Sequence, residues 1–168
     1  MIPSYMLEKF MRESNAIEGE IDINKCGQCG SPTPEGRGAL GFGDMDGITE
    51  FMKLENVTKK DLLEAHYKMF GNRLEGAGGY RLYNVRVGSF IPCDWKDVPR
   101  EMSKYFRSFN KYNSWEAHNL FEKIHPFGDG NGRMGRLIWL WKAYHKENFR
   151  MDLSFLHAYY YQTLRHVN

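Results

Sequence analysis

Glycine is unevenly placed along this chain, and that placement dictates most of what the chain can fold into. Eight of the 17 glycines stand between residues 19 and 47, with Pro32 and Pro34 among them. That density of permissive and ring-locked backbone predicts a long irregular connection. Elsewhere apolar residues recur three and four apart, which is the helical period. Residues 3–18 carry Met6, Leu7, Phe10, Met11 and Ile17 on one stripe, with Gly19 placed to end the helix. Thr58 and Asp61 make a capping-box start for a stripe of Leu62, Ala65, His66, Met69 and Phe70. Asp97, followed by Pro99, opens a helix with Val98, Met102, Tyr105, Phe106, Phe109 and Tyr112 along one side.

Ser114 starts a helix to Ile124 that Pro126 prevents from continuing, and Asn131 to about Lys146 is helical again. A last helix is expected from Asp152 to about Arg165. Val85 to Ile91 alternates around Gly88-Ser89, a pair suited to a type II′ turn, and predicts a short hairpin. The expected fold is all-α with six to eight helices and one hairpin. It divides into an N-terminal helix (1–19), the glycine-rich connection (20–47) and the main domain (48–168), within a single structural domain.

At 42% apolar and 26% charged residues, 168 residues suffice for one ordinary core. A formal net charge of +2 argues against wrapping nucleic acid or lying on anionic lipid. No apolar run approaches the roughly 20 residues of a membrane span. The N-terminus has charges where a secretory leader needs an apolar block, and three cysteines make no disulfide framework. The expectation is a cytoplasmic protein without membrane partners.

Residues 125–136, HPFGDGNGRMGR, concentrate the chemistry. A loop leaves one helix and feeds the N-terminus of the next, where free N–H groups and the helix dipole favour an anion. Gly128, Gly130 and Gly132 let the backbone turn sharply and approach a ligand. Arg133 and Arg136 are three apart, hence on one helical face, and both are forked permanent cations suited to phosphate. Asp129 is a hard oxygen donor suited to Mg²⁺ beside a polyphosphate. His125 has an ordinary pKa of about 6.5, right for taking a proton near neutrality.

This segment resembles the signature of Fic-domain proteins, with every specified position present. Gly79-Tyr80-Arg81, Val85 to Gly88 and Pro92 are similar to the family's approach to its flap, and Ala117-His118 and Phe121 to Ile124 to its helix before the signature. The resemblance implies a protein adenylyltransferase moving AMP from ATP to a Ser, Thr or Tyr hydroxyl of a target protein. His125 would be the base, and Asp129 would hold Mg²⁺. The backbone of Gly130, Asn131 and Gly132 would stabilise the attacked phosphate. Arg133, Gly135 and Arg136 would complete the nucleotide site, with Tyr160, from the run Tyr159 to Tyr161, lining the adenine pocket. Val85, Arg86, Val87 and Gly88 would dock an extended target segment. Gly132, where the phosphorylating Doc branch carries lysine, favours adenylylation. Self-AMPylation and homo-oligomerisation are compatible with this reading.

Ser14-Asn15-Ala16-Ile17-Glu18-Gly19 is similar to the family's inhibitory motif. The resemblance implies that Ser14, Glu18 and Gly19 form an autoinhibitory element in which Glu18 pairs with Arg136 and takes the γ-phosphate position. A carboxylate in a phosphate pocket neutralises a guanidinium and repels the incoming anion. Alternatives are removal of AMP using Glu18, and a toxin-like nucleotide-binding module without turnover. Cys26 and Cys29 form half of a zinc site by spacing, with no second pair to complete it.

Overall fold

The computed structural model describes residues 2–17, 42–71 and 74–147. Glu18, Gly19, the Cys26/Cys29 pair, the expected helix from Asp152 and its Tyr159 to Tyr161 lie outside the described residues. Among these residues six helices follow in order: α1 (Ser4–Ile17), α2 (Phe42–Met52), α3 (Lys59–Phe70), α4 (Val98–Ser108), α5 (Ser114–Ile124) and α6 (Asn131–Lys146). Short 3₁₀ turns, Trp95–Asp97 and Phe109–Lys111, bracket α4.

Where the helix starts were written locally, they form as expected. Thr58 and Asp61 complete a reciprocal capping box at α3, the Thr58 N–H donating to the Asp61 carboxylate at 2.9 Å. Ser114 opens α5 as expected, whereas the start of α2 differs from expectation. The α5 cap is Asn113, whose side chain accepts from the Glu116 N–H at 2.9 Å, and Ser114 is the first helical residue. The segment expected to stay irregular through residue 47 is helical from Phe42. Gly47 explains why glycine does not forbid α2: a Cβ there would stand 2.9 Å from the Met69 side chain, so the glycine lets α2 press onto α3.

Helix α6 is the centre of the molecule, buried on all sides from Met134 to Ala143. A helix enclosed by its neighbours needs no polar face. Around it the others are tied by polar bonds as well as apolar packing. The Trp141 indole N–H donates to the Leu54 carbonyl at 2.9 Å, and His145 lies 2.9 Å from the Met52 carbonyl, both at the end of α2. Glu147, just past α6, accepts from the Ser114 N–H and hydroxyl at 2.5 and 2.8 Å and so caps α5. No helix among the described residues is long and apolar enough to cross a membrane.

The expected hairpin is reduced to its turn. Val87 and Phe90 exchange both backbone hydrogen bonds, at 2.9 and 3.0 Å, around Gly88-Ser89, and Gly88 takes the positive φ of 60° that a type II′ turn requires. Among the described residues no ladder extends from this bridge. The segment is anchored at its base instead, by Arg81 and Asn84.

Candidate active site

The 125–136 segment occupies the corner between α5 and α6. His125 ends α5 in a left-handed conformation (φ 50°, ψ 62°), the one non-glycine residue with positive φ among those described. Such a backbone is sparsely populated and persists where its surroundings hold it. Two bonds do so: the His125 N–H donates to the Phe121 carbonyl at 2.9 Å, and its carbonyl accepts from Arg81 Nε at 2.8 Å. At the other end Gly130 is the cap of α6 with φ 77°, and a Cβ there would stand 2.7 Å from the Phe70 ring. Only glycine satisfies both the dihedral and the space.

Between these ends the loop is held from inside and below. The Asn131 side chain bonds both the N–H and the C=O of Phe127, each at 2.9 Å, which ties the first residue of α6 to the loop's base. Phe127, fully buried, stacks at 3.7 Å on His66 of α3. His66 in turn accepts from the Gly78 N–H on Nδ1 at 2.9 Å, so its proton sits on Nε2, which lies 3.0 Å from the Asp129 carbonyl and donates to it. Burial pushes the His66 pKa down, keeping the ring neutral and this tautomer in place. Sequence reading placed His66 on a core stripe and gave it no further task. Its two hydrogen bonds reach residues 12 and 63 positions away, beyond any local signal.

Arg81 is the other support that sequence reading left without a role. The residue is 3% exposed, and its guanidinium donates to four carbonyls: His125 at 2.8 Å, Tyr83 at 3.0 Å, Cys93 at 2.6 Å and Ile124 at 3.4 Å. A cation on the last carbonyls of α5 complements that helix end. The same group closes the base of the Val85 to Gly88 segment, so that segment and the histidine share one anchor. Asn84 adds a second tie, accepting from the Trp95 N–H at 2.9 Å. Beyond the anchor Arg86, Val87 and Gly88 are exposed, beside exposed Leu82, Tyr83, Phe90 and Ile91.

The two arginines of α6 differ in setting. Arg133 lies over the Phe70 ring, 4.4 Å from its centroid, with one nitrogen 4.0 Å from Asp129. Arg136 is 1% exposed, and its fork grips the end of α1: Nε donates to the Ser14 hydroxyl at 2.7 Å and Nη2 to the Ser14 carbonyl at 3.0 Å. That carbonyl belongs to the last turn of α1, whose acceptors have no partner within the helix. Glu18, the expected partner of Arg136, follows α1 immediately. Gly135 packs against α5, where a Cβ would stand 2.3 Å from a Glu122 oxygen. Gly132 is half-buried in the first turn of α6.

Among the described residues no three His, Cys, Asp or Glu side chains gather into a ready-made cation site. Asp129, its side chain 63% exposed, offers a single hard carboxylate next to a helix N-terminus. That donor fits Mg²⁺ taking its remaining ligands from phosphate and water.

A glycine-capped helix N-terminus with a left-handed histidine at its mouth marks the corner of this helical domain. Comparison with known proteins gives the class its name. The model described as Fic/DOC family matches residues 56–142, more than half of the chain, and the chain belongs to that family. Its relatives include the protein adenylyltransferase Fic of Culex quinquefasciatus, 37% identical over 97 residues, and that of Drosophila melanogaster, 36% identical over 94. These matches cover 51% and 49% of this chain but 19% of each relative, so the chain spans about a fifth of their length. Among solved structures, a Fic domain containing signaling protein from Bacteroides thetaiotaomicron superposes with a TM-score of 0.71 at 17% identity, covering 96% of this chain and 72% of that one. A Fic family protein from Desulfovibrio desulfuricans gives 0.67 at 24% identity, covering 98% and 56%. At these identities the likeness is one of fold.

Proposed function

We propose that this chain is an autoinhibited protein adenylyltransferase that moves AMP from ATP to a Ser, Thr or Tyr hydroxyl of a target protein. The observation that carries the reading is the corner itself: a histidine held in a left-handed turn beside a glycine-capped helix N-terminus, within a domain whose relatives are named protein adenylyltransferases. In this reading His125 accepts the proton of the hydroxyl as its oxygen bonds to the α-phosphorus. The bond from that phosphorus to the bridging oxygen breaks, and pyrophosphate leaves. The N–H groups at the start of α6 bear the charge that develops on the α-phosphate. Bound Mg²⁺ on Asp129 would neutralise phosphate charge. Arg133 and Arg136 would hold the outer phosphates, and Gly132 leaves room where a lysine would redirect the transfer.

The exposed Val87–Phe90 turn, flanked by apolar side chains on an anchored base, is suited to adding an extended target segment to its edge. Autoinhibition is supported by Arg136, whose fork is engaged by Ser14 one turn before Glu18. While α1 holds two of its N–H groups, Arg136 has less freedom to close on a phosphate. ATP labelled at the α or the γ position tests the reaction. Label retained on protein from the α position alone is expected, absent in His125→Ala; retention from γ alone would mean phosphorylation and would overturn the reading. Glu18→Gly is expected to raise labelling several-fold, and unchanged labelling would remove the inhibitory role.

A further inference from the structure

We infer that Glu122 is a positioning residue for His125, a carboxylate that fixes which ring nitrogen carries the proton and supports the cation formed when the base takes another. This rests on His125 being the base of the proposed reaction. Glu122 lies one helical turn before His125, and its Oε2 is 3.7 Å from His125 Nδ1, with both side chains 17% exposed. That separation is within ion-pairing range and beyond a hydrogen bond, and contacts of this kind often tighten only as a transition state forms. The histidine backbone has little freedom to leave this arrangement, being bonded to Phe121 on one side and Arg81 on the other.

The carboxylate is itself seated by α6. Gly135 lies in the second turn of that helix, where glycine costs about 1 kcal/mol relative to alanine. A Cβ at this position would stand 2.3 Å from Glu122 Oε1, so the bare backbone is the space the carboxylate occupies. Without a side chain there, the Glu122 carboxylate and the His118 ring, whose Nδ1 a Cβ would meet at 2.8 Å, both pack directly against α6.

Electrostatics gives the reason for a negative charge here. The Arg81 guanidinium sits on the His125 carbonyl, and Arg133 and Arg136 stand on the following helix, so guanidinium charge surrounds the corner. Left alone, that field disfavours a second proton on the ring. Asp129, the other carboxylate of the corner, is mostly exposed and therefore screened by water. Glu122 is the shielded one. Opposite Nδ1 it selects the tautomer protonated there, leaving the Nε2 lone pair for the acceptor hydroxyl, and it stabilises the imidazolium that results.

The test uses the full chain in a Glu18→Gly background, with Glu122→Gln removing the charge at nearly constant shape. The expected result is a kcat at least tenfold lower, with KM for ATP and the melting temperature little changed. Nitrogen-15 shifts of the His125 ring are expected to move from the Nδ1–H form to a mixture of tautomers. Glu122→Asp, which keeps the charge but draws it back, is expected to fall between, and serves if the glutamine variant folds poorly. A wild-type kcat with unchanged ring shifts in either folded variant would overturn the inference. The ring shifts need no turnover, so they judge the positioning claim even if labelling shows that the transferred group is not AMP.

Discussion

A guanidinium taken out of water must be hydrogen-bonded, and at Arg136 the bonds come from the hydroxyl and carbonyl of Ser14. The residue thus serves stability as well as the phosphate site proposed for it. Arg136→Ala is expected to lose roughly 3 kcal/mol of stability by urea titration, since hydrogen bonds to a charged group contribute about 1.5–3 kcal/mol each. ATP affinity, read by calorimetry, is expected to fall at least tenfold. Asn131 acts on a smaller span. Asn131→Ala strands the buried N–H and C=O of Phe127 and is expected to cost about 2 kcal/mol. The same bonds explain why the signature needs asparagine at a position whose proposed catalytic contribution comes from its backbone.

At the scale of elements, the proposed latch is α1, which holds Arg136 of α6 beside the corner between α5 and α6. Ser14→Ala removes the hydroxyl that meets Arg136 but leaves the carbonyl bond, and is expected to speed amide hydrogen exchange in residues 4–17 while α5 and α6 exchange as before. If α1 stayed equally protected, the latch would reside elsewhere. Gly130→Ala strains the opposite end of the corner, where φ is 77° and the Phe70 ring blocks a Cβ, and is expected to destabilise by roughly 2 kcal/mol. The frame was legible because its instructions are local: Pro126 stops α5, glycines turn the loop, and Asn131 opens α6. Helix α2 was not, since its place among glycines is settled by contact with α3 rather than by propensity.

Across the whole molecule, stability is coupled to pH by two buried histidines. Burial pushes His118 down to about 4, and His66 is lowered for the same reason. Both are neutral when folded and gain protons more readily when unfolded, so the unfolded chain binds more protons below pH 6.5. Their stabilisation is therefore complete above about 6.5 and drains away as pH falls, for His118 through the window toward 4. The His118 contribution alone is roughly 3 kcal/mol. Urea midpoints measured from pH 7.5 to 4.5 are expected to fall steadily, and His118→Gln, which cannot titrate, is expected to flatten the lower part of that curve.

What the chain determined by its own order of residues is whatever depends on near neighbours: helical stripes, caps, the turn at Gly88-Ser89 and the signature loop. Each follows from dihedral limits and short-range hydrogen bonds that act within a few positions. Folding in three dimensions decided the rest. Arg136 meets Ser14 across 122 positions, Arg81 reaches His125 across 44, and His66 reaches Asp129 across 63. No period or spacing encodes such contacts, because their geometry exists only once α6 is enclosed by the other helices and buried polar groups must find partners there.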